Sequence, residues 1–127
     1  MIAYKWVIKK DNKYFPLRNF GIDGDKCRSA NHIPYEKNNT YETNCLIKSE
    51  YFKLRNVPNS LTSCQGFHFW KKPTNPYLEN WNKFFEKQKQ PQINTILKCE
   101  INNEDVFIEN DYQLVAKKFQ ILEEIKI

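Results

Sequence analysis

SCQGFHFWKKPTNPYLENW, residues 63–81, is the stretch of sequence that decides the fold. The aromatic run over 67–70 is typical of a short β-strand, which sends its two phenylalanines to one face and His68 with Trp70 to the other. Gly66, just before this run, allows a backbone conformation or a close approach that a side chain would forbid. The stretch therefore predicts a strand that begins next to a position suited to glycine.

The second half of the stretch predicts a helix. Lys71 and Lys72 close the strand with positive charge, and Asn75 followed by Pro76 matches an N-cap residue with proline in the first helical position. Apolar side chains then recur at steps of three and four residues: Tyr77, Leu78, Trp81, Phe84 and Phe85. This spacing predicts one amphipathic helix over about 75–90.

Alternating apolar residues also predict a first strand. Every second residue over 2–8 is large and apolar, and the residues between them include Lys5, with Lys9 following. The pattern is typical of a half-buried strand with its lysines on an outer face. A polar turn comes next, and 14–18 fits the returning strand of a hairpin, at an edge position because of Pro16.

The remaining segments carry weaker signals. Residues 19–44 lack periodicity and predict a long loop with one short strand near Tyr41, whereas 46–56 fits either a helix or a strand. A turn is expected over 57–63 because of Pro58 and its polar neighbours. The later elements are, in order, a strand over 95–101, a turn, a returning strand over 106–108, a connection over 111–115, and a final strand or short helix over 118–125.

Antiparallel strands with one well-defined helix indicate an α+β fold. We expect a single compact domain over 1–127, mainly antiparallel sheet, because this length is sufficient to bury a core. The content of 40% hydrophobic and 15% aromatic residues argues against a disordered chain.

The net charge of +5 is unevenly distributed. Residues 1–97 hold 16 Lys and Arg against 8 Asp and Glu, while residues 98–127 hold 4 against 7. This polarity favours a basic face for an anionic partner, although an ordinary solvated surface is compatible with the same composition.

The cysteines predict no metal site and no disulfide. Cys27, Cys45, Cys64 and Cys99 are irregularly spaced, and no Cys-x-x-Cys pair occurs. The first ten residues contain no apolar signal-peptide core, so we expect a cytoplasmic protein with reduced, unpaired thiols. No apolar window approaches the length of a membrane span, so no membrane partner is expected.

No catalytic motif stands out. The GxSxG nucleophile motif is absent, and three glycines cannot build a phosphate loop. We therefore assign no catalytic residue, no metal ligand and no cofactor, and enzymatic activity stays open. His68 fits either a general acid–base or ligand-donating role, or a histidine packed at a strand edge.

A binding role fits the side chains better than catalysis. Aromatic rings stack on bases, and lysine or arginine pairs with phosphate. The residues expected to hold such an anionic ligand are His68, Trp70, Lys71, Lys72, Lys5 and Arg28. Most of them surround the end of the 67–70 strand, where the N-terminus of the predicted helix also favours an anion. Trp6 and Trp81 are expected in the core instead.

Several segments resemble a set of small proteins from phages and large DNA viruses. AYKWV at 3–7 matches their Tyr-Lys opening strand, and CQGFHFW at 64–70 matches their Cys-x-Gly-Phe-His block. ILKCEI at 96–101 and AKKFQILEEI at 116–125 match their closing segments. The resemblance spans most of the chain in outline, and its specific part is the Gly-Phe-His block. It implies a viral accessory protein in the host cytoplasm, without a settled activity.

The order of elements is also similar to the ADP-ribosyltransferase fold, in which a Gly-aromatic strand feeds a helix between early and late strands. That resemblance implies an enzyme that uses NAD. The family's catalytic set needs His or Arg on the first strand and usually a Glu. Here the first strand offers only Lys5, and no Glu-x-Glu pair occurs.

These observations together favour a small, non-enzymatic, viral-type binding protein with a counter-defence role. Its partner would be a host defence protein or a nucleotide-type anionic ligand. Two alternatives stay open, namely an ADP-ribosyltransferase-like enzyme and a general nucleic-acid-binding protein.

Overall fold

The computed structural model describes residues 1–16, 34–44, 46–47, 52–54, 57–60 and 66–126. These residues form one α-helix, α1 (Pro76–Lys87), one 3₁₀ turn (Asn103–Asp105) and ten strands. The strands are β1 (Ile2–Lys10), β2 (Lys13–Pro16), β3 (Thr40–Glu42), β4 (Phe52–Leu54), β5 (Val57–Ser60), β6 (Phe67–Trp70), β7 (Thr95–Glu100), β8 (Val106–Glu109), β9 (Gln113–Ala116) and β10 (Lys118–Lys126).

Eight strands form one antiparallel sheet in the order β3-β10-β7-β1-β6-β9-β8, with β2 also paired to β1. Strands β4 and β5 form a separate two-stranded sheet. The predicted α+β fold, mainly antiparallel sheet with one helix, is therefore confirmed. The predicted first hairpin is present as well, because β1 and β2 pair antiparallel. The two residues of its turn, Asp11 and Asn12, both have positive φ, as a type I′ turn requires.

The sheet is strongly curled. Strands β9 and β10 are joined by the single residue Lys117, yet β6, β1 and β7 lie between them in the sheet. One linking residue spans at most about 7 Å between Cα atoms, whereas four steps across a flat sheet would cover about 19 Å. The two edges of the sheet must therefore approach each other at this end.

Backbone hydrogen bonds at Lys117 show where the two edges meet. The Lys117 N–H donates to the carbonyl of Asp105, just before edge strand β8, at 2.9 Å. The Lys117 carbonyl accepts from the N–H of Thr43, just after edge strand β3, at 2.8 Å. One residue thus holds both edges of the sheet together.

The curl creates an inner core on the concave face. Phe119 on β10 packs against Phe67 and Phe69 on β6, with ring centroids 4.8 and 5.0 Å apart. Two strands lie between β6 and β10 in the sheet, so these contacts cross the interior of the curl. The buried members are Ala3, Val7, Tyr14, Tyr35, Phe67, Phe69, Leu97, Cys99, Ile101, Leu114, Ala116, Phe119 and Ile121.

A helix-side core covers the opposite face of the sheet. Its buried members are Trp6, Ile8, Trp70, Leu78, Trp81, Phe85, Ile93 and Ile96. Helix α1 contributes Leu78, Trp81 and Phe85, as its three- and four-residue spacing predicts. Trp6 and Trp81 are 3% and 4% exposed, so the prediction that both belong to the core is confirmed.

The expectation that Lys5 lies on an outer face is wrong. Lys5 is only 3% exposed, on the same strand face as the buried Ala3 and Val7. Strand β1 is central in the sheet, with the inner core on one face and α1 on the other, so both of its faces are buried.

Three weaker predictions are also wrong. Residues 57–60 form strand β5 and not a turn, and they pair with β4. The segment over 106–108 does not return alongside the strand that precedes it, because β8 pairs with β9. The expected connection over 111–115 instead contains β9, an interior strand between β6 and β8.

Other predictions for short elements hold. A strand is present at Tyr41, and the last segment takes the strand alternative as β10. Cys99 is a buried core residue, while Cys27, Cys45 and Cys64 lie outside the described residues. No helix in the described part of the chain is long and apolar enough to cross a membrane.

Candidate functional site

The predicted site residues do not form one site in the structure. Trp70, Lys71 and Lys72 lie together where β6 leads into α1. Lys5 lies in the interior of the curled sheet, where its ammonium group donates to the carbonyl of His68 at 2.8 Å. Arg28 lies outside the described residues.

Four aromatic rings form a ladder at the first of these places. Trp6 stacks on Trp70 with ring centroids 4.2 Å apart, and Trp70 lies nearly parallel to Tyr77 at 5.9 Å. Tyr77 contacts Tyr112 edge-on at 6.0 Å. Exposure increases along this ladder, from 3% at Trp6 and 6% at Trp70 to 42% at Tyr112. Tyr112, and not the buried Trp70, is therefore the ring most accessible to a ligand.

Two hydrogen bonds fix the loop that carries the lysines. The Lys71 N–H donates to the carbonyl of Tyr112 at 2.9 Å, which joins this loop to the turn between β8 and β9. The indole N–H of Trp6 donates to the carbonyl of Pro73 at 2.9 Å. We call the surface formed by Lys71, Lys72, Tyr77 and Tyr112 the aromatic–lysine surface.

The two lysines differ in their surroundings. The Lys71 ammonium is 3.0 Å from a carboxylate oxygen of Glu109, and both side chains are partly exposed. A surface ion pair of this kind contributes only about 0–1 kcal/mol, so an anionic ligand can displace it. Lys72 is exposed and makes no ion pair with any residue in the described part of the chain.

The N-terminus of α1 has fewer free backbone N–H groups for an anion than its sequence predicts. Asn75 is the N-cap, and its side-chain oxygen accepts from the Tyr77 N–H at 2.9 Å, as its type and position predict. The Leu78 N–H donates to the Asn75 carbonyl at 3.1 Å, and Pro76 has no N–H. Because these first positions are already satisfied, lysine side chains must supply most of the attraction for an anion here.

Lys5 contributes to the fold and not to this surface. Its ammonium lies 4.7 Å from the centre of the Phe69 ring, with the rings of Tyr35 and Phe119 at 5.6 Å. Cation–π contacts together with the bond to the His68 carbonyl stabilise the charge away from water. His68 itself is half-buried.

A second polar cluster lies at the other end of the inner core, away from Lys117. The Tyr14 hydroxyl donates to Glu124 at 2.6 Å, and the Lys9 ammonium donates to both Glu124 oxygens at 2.9 and 3.0 Å. A register shift between Ile121 and Glu123 turns Glu124 toward this face.

The contacts in this cluster shift two pKa values in opposite directions. Burial, followed by the hydrogen bond to Glu124 and its negative charge, raises the pKa of Tyr14 to about 12. The hydrogen bonds from Tyr14 and then Lys9 lower the pKa of Glu124. The cluster thus keeps a neutral phenol, a carboxylate and an ammonium together as a stabilising contact between β1, β2 and β10.

Tyr112 is absent from the predicted site because the sequence predicts a connection over 111–115. Asn110 provides the signal that identifies this segment as a hairpin. Its side-chain oxygen accepts from the N–H groups of Tyr112 and Gln113, which is the turn geometry that asparagine favours. Apolar runs on both sides of the Asn110-Asp111 pair complete the hairpin pattern.

Comparison of the chain with protein-family models, curated proteins and solved structures gives no match. Within the described ranges, no group of three or more His, Cys, Asp or Glu side chains could hold a metal ion. The chemistry of the site therefore rests on the geometry of its own aromatic and lysine side chains.

Proposed function

We propose that this protein binds a phosphate-bearing aromatic ligand, of the nucleotide type, on the aromatic–lysine surface. The observation that carries the proposal is the exposed Tyr112 ring, whose backbone carbonyl accepts from the Lys71 N–H and whose ring contacts Tyr77 edge-on at the end of the aromatic ladder. A base can stack on such a ring for about 1–3 kcal/mol. A phosphate can then pair with the lysines.

The fixed geometry of the surface supports binding in a second way. Ordering a flexible segment costs free energy on binding, so a backbone that is already fixed beneath the rings lowers this cost. Tyr112 is anchored through its carbonyl to Lys71, and Tyr77 is anchored by the N-cap of α1. Lys72 is the expected first phosphate contact, because the Lys71 ammonium must first break its ion pair with Glu109.

The wider roles implied by the resemblance to viral proteins extend this proposal. A counter-defence protein could use such a surface to sequester a nucleotide signal, or to bind a host protein through its basic and aromatic side chains. For the ADP-ribosyltransferase alternative, the first strand offers only Lys5, and this residue is enclosed by aromatic rings. A non-enzymatic binding protein is therefore the function that we favour.

Titration calorimetry at low salt tests the proposal with ATP, NAD and a short oligothymidylate as ligands. We expect Tyr112→Ala to weaken binding by about 5- to 150-fold, the equivalent of one lost stacking contact of about 1–3 kcal/mol. The Lys71→Ala/Lys72→Ala double variant should also bind more weakly and show a smaller dependence on salt. Preference for the oligonucleotide over ATP would favour the general nucleic-acid-binding alternative.

Lys83→Ala is the matched control, because Lys83 is an exposed lysine on α1 that pairs with Glu79 outside the surface. This variant should bind like the wild type. If folded Tyr112→Ala and double-lysine variants also bind like the wild type, the ligand site is elsewhere. Absence of binding by the wild-type protein to all three ligands at millimolar concentration would reject the proposed function.

A further inference from the structure

A cleft of about 390 Å³ lies at the end of the sheet near Lys117, and it shares no residue with the aromatic–lysine surface. Thr40, Gln120 and Glu100 stand opposite one another on β3, β10 and β7, so they form a row across the sheet. Lys118 is two residues before Gln120 and shares its face. The other polar side chains that line the cleft are Asn102 and Asp105.

Five polar side chains that line this cleft make no side-chain hydrogen bond within the described part of the chain: Thr40, Glu100, Asn102, Lys118 and Gln120. In most binding sites, a few convergent polar groups are left for the ligand to satisfy. The volume also lies in the range of about 300–1,000 Å³ that is usual for small-molecule sites.

Asn102 differs from four other asparagines of the described residues. The side chains of Asn75, Asn82, Asn94 and Asn110 all bond to backbone groups. Asn102 occupies the N-cap position of the 3₁₀ turn but makes no side-chain capping bond. Its carboxamide instead borders the cleft, where both its donor and its acceptor are available.

Asp105 is the most buried charged residue that lines the cleft. Its side chain is 9% exposed, and among the described residues its only partner is the Lys117 ammonium, 3.8 Å from one carboxylate oxygen and beyond hydrogen-bond distance. Its backbone is fixed by bonds to Asn102 and Lys117 at 2.9 Å. A buried carboxylate is stabilised when a cation donates hydrogen bonds to it.

We propose that this cleft binds a small zwitterionic molecule, with a protonated amine directed to Asp105 and Glu100 and a carboxylate directed to Lys118. The row of Thr40, Gln120 and Asn102 would hydrogen-bond the polar groups between these two ends. A ligand with both charges matches the lining of the cleft, which includes the two carboxylates of Glu100 and Asp105 and the ammonium of Lys118 on strand and turn positions.

Three probes of equal chain length test this assignment by amide-resolved NMR titration of the whole chain. They are γ-aminobutyrate with both charges, butylammonium with the positive charge alone, and butyrate with the negative charge alone. We expect γ-aminobutyrate to shift the amide signals of 100–105 and 118–120 at the lowest concentration, with butylammonium weaker and butyrate without effect. Loss of one charged partner in Asp105→Asn or Lys118→Gln should weaken γ-aminobutyrate binding by at least about tenfold.

Glu104→Gln and Lys37→Gln are the matched controls, because both residues are exposed charges outside the lining of the cleft. They should leave the titration unchanged. Gln120→Ala, at an exposed strand position, serves as a further test if Asp105→Asn fails to fold. Equal responses to all three probes, no response at millimolar concentration, or unchanged binding by Lys118→Gln and Gln120→Ala would each overturn the proposal.

Discussion

At residue Gly66, φ is +140°, and a Cβ atom at this position would lie 2.5 Å from the Cγ1 atom of Val115. Both reasons to require glycine are therefore present, a backbone conformation that side chains rarely adopt and a close approach to a neighbouring strand. His68, two residues further on, pairs with this same Val115 across β6 and β9.

Replacement of Gly66 with alanine should lower the free energy of unfolding by about 1–3 kcal/mol, because strain and overpacking add together. Urea denaturation followed by tryptophan fluorescence measures this change. An unfolding midpoint equal to that of the wild type would contradict the placement of Gly66 against β9.

Lys5 marks the limit of sequence reasoning at this scale. Alternation correctly placed Lys5 on one strand face with Ala3 and Val7. It could not tell that this face is enclosed, because period-two patterns report which residues share a face and not what covers it. A lysine between two apolar residues normally indicates that its strand face is exposed to solvent. Here the Lys5 ammonium contacts three aromatic rings instead.

Tyr14 should make stability sensitive to alkaline pH. Its pKa is about 12 in the folded protein, against an ordinary value of 10.0. Below pH 10 the phenol is protonated in both states, and between about pH 10 and 12 the unfolded state loses the proton first. Stability should therefore fall over this window by up to about 1.4 kcal/mol per pH unit from this group.

Tyr14→Phe provides the comparison. Urea denaturation at a series of pH values should show a stability difference between wild type and variant that shrinks as pH rises from 10 to 12. A difference that stays constant across this window would show that the Tyr14 hydroxyl is not protected by Glu124.

At the scale of elements, α1 was predictable because its signals are local. Residues 75–90 were predicted, and the helix spans Pro76–Lys87. The difference lies at the C-terminus, where Lys89 has φ +56°. The Gln90 N–H bonds to the Phe85 carbonyl at 3.0 Å and the Lys89 N–H to the Glu86 carbonyl at 3.1 Å. This is a Schellman motif, with lysine in the position that glycine usually occupies.

Lys89→Gly should therefore stabilise the protein by about 0.5–1 kcal/mol, because glycine adopts positive φ without the steric cost that lysine has. Lys87→Gly is the matched control within the helix, where glycine should destabilise by about 1 kcal/mol. Thermal denaturation of the two variants gives the sign of each change. Destabilisation by both would mean that α1 does not end in this motif.

Strands were less predictable than the helix because their partners are distant in the chain. The strong alternation of β1 and β7 identified both strands, and their pairing covers six residues of each. Strand β9 has only four residues, all buried, so it shows no alternation. The sequence therefore predicts a connection over 111–115, which gives no reason to place Tyr112 in the site.

At the scale of the whole molecule, the fold class followed from the sequence but the curl of the sheet did not. The curl depends on the single-residue link at Lys117 and on its bonds to Asp105 and Thr43, which are contacts between distant segments. It places Lys5 in the interior and brings Asp105 and Lys118 into one cleft. By contrast, Lys71 and Lys72 are adjacent in sequence, so their place beside Trp70 could be predicted.

The central claim is that a phosphate-bearing ligand binds the aromatic–lysine surface. Amide-resolved NMR titration with ATP, at low and at high salt, tests it most directly because it locates the ligand on the molecule. We predict that signals of residues 71–77 and 110–113 shift at low salt, and that the shifts weaken as salt rises. Shifts confined to other residues, or no shift at millimolar ATP, would contradict the claim.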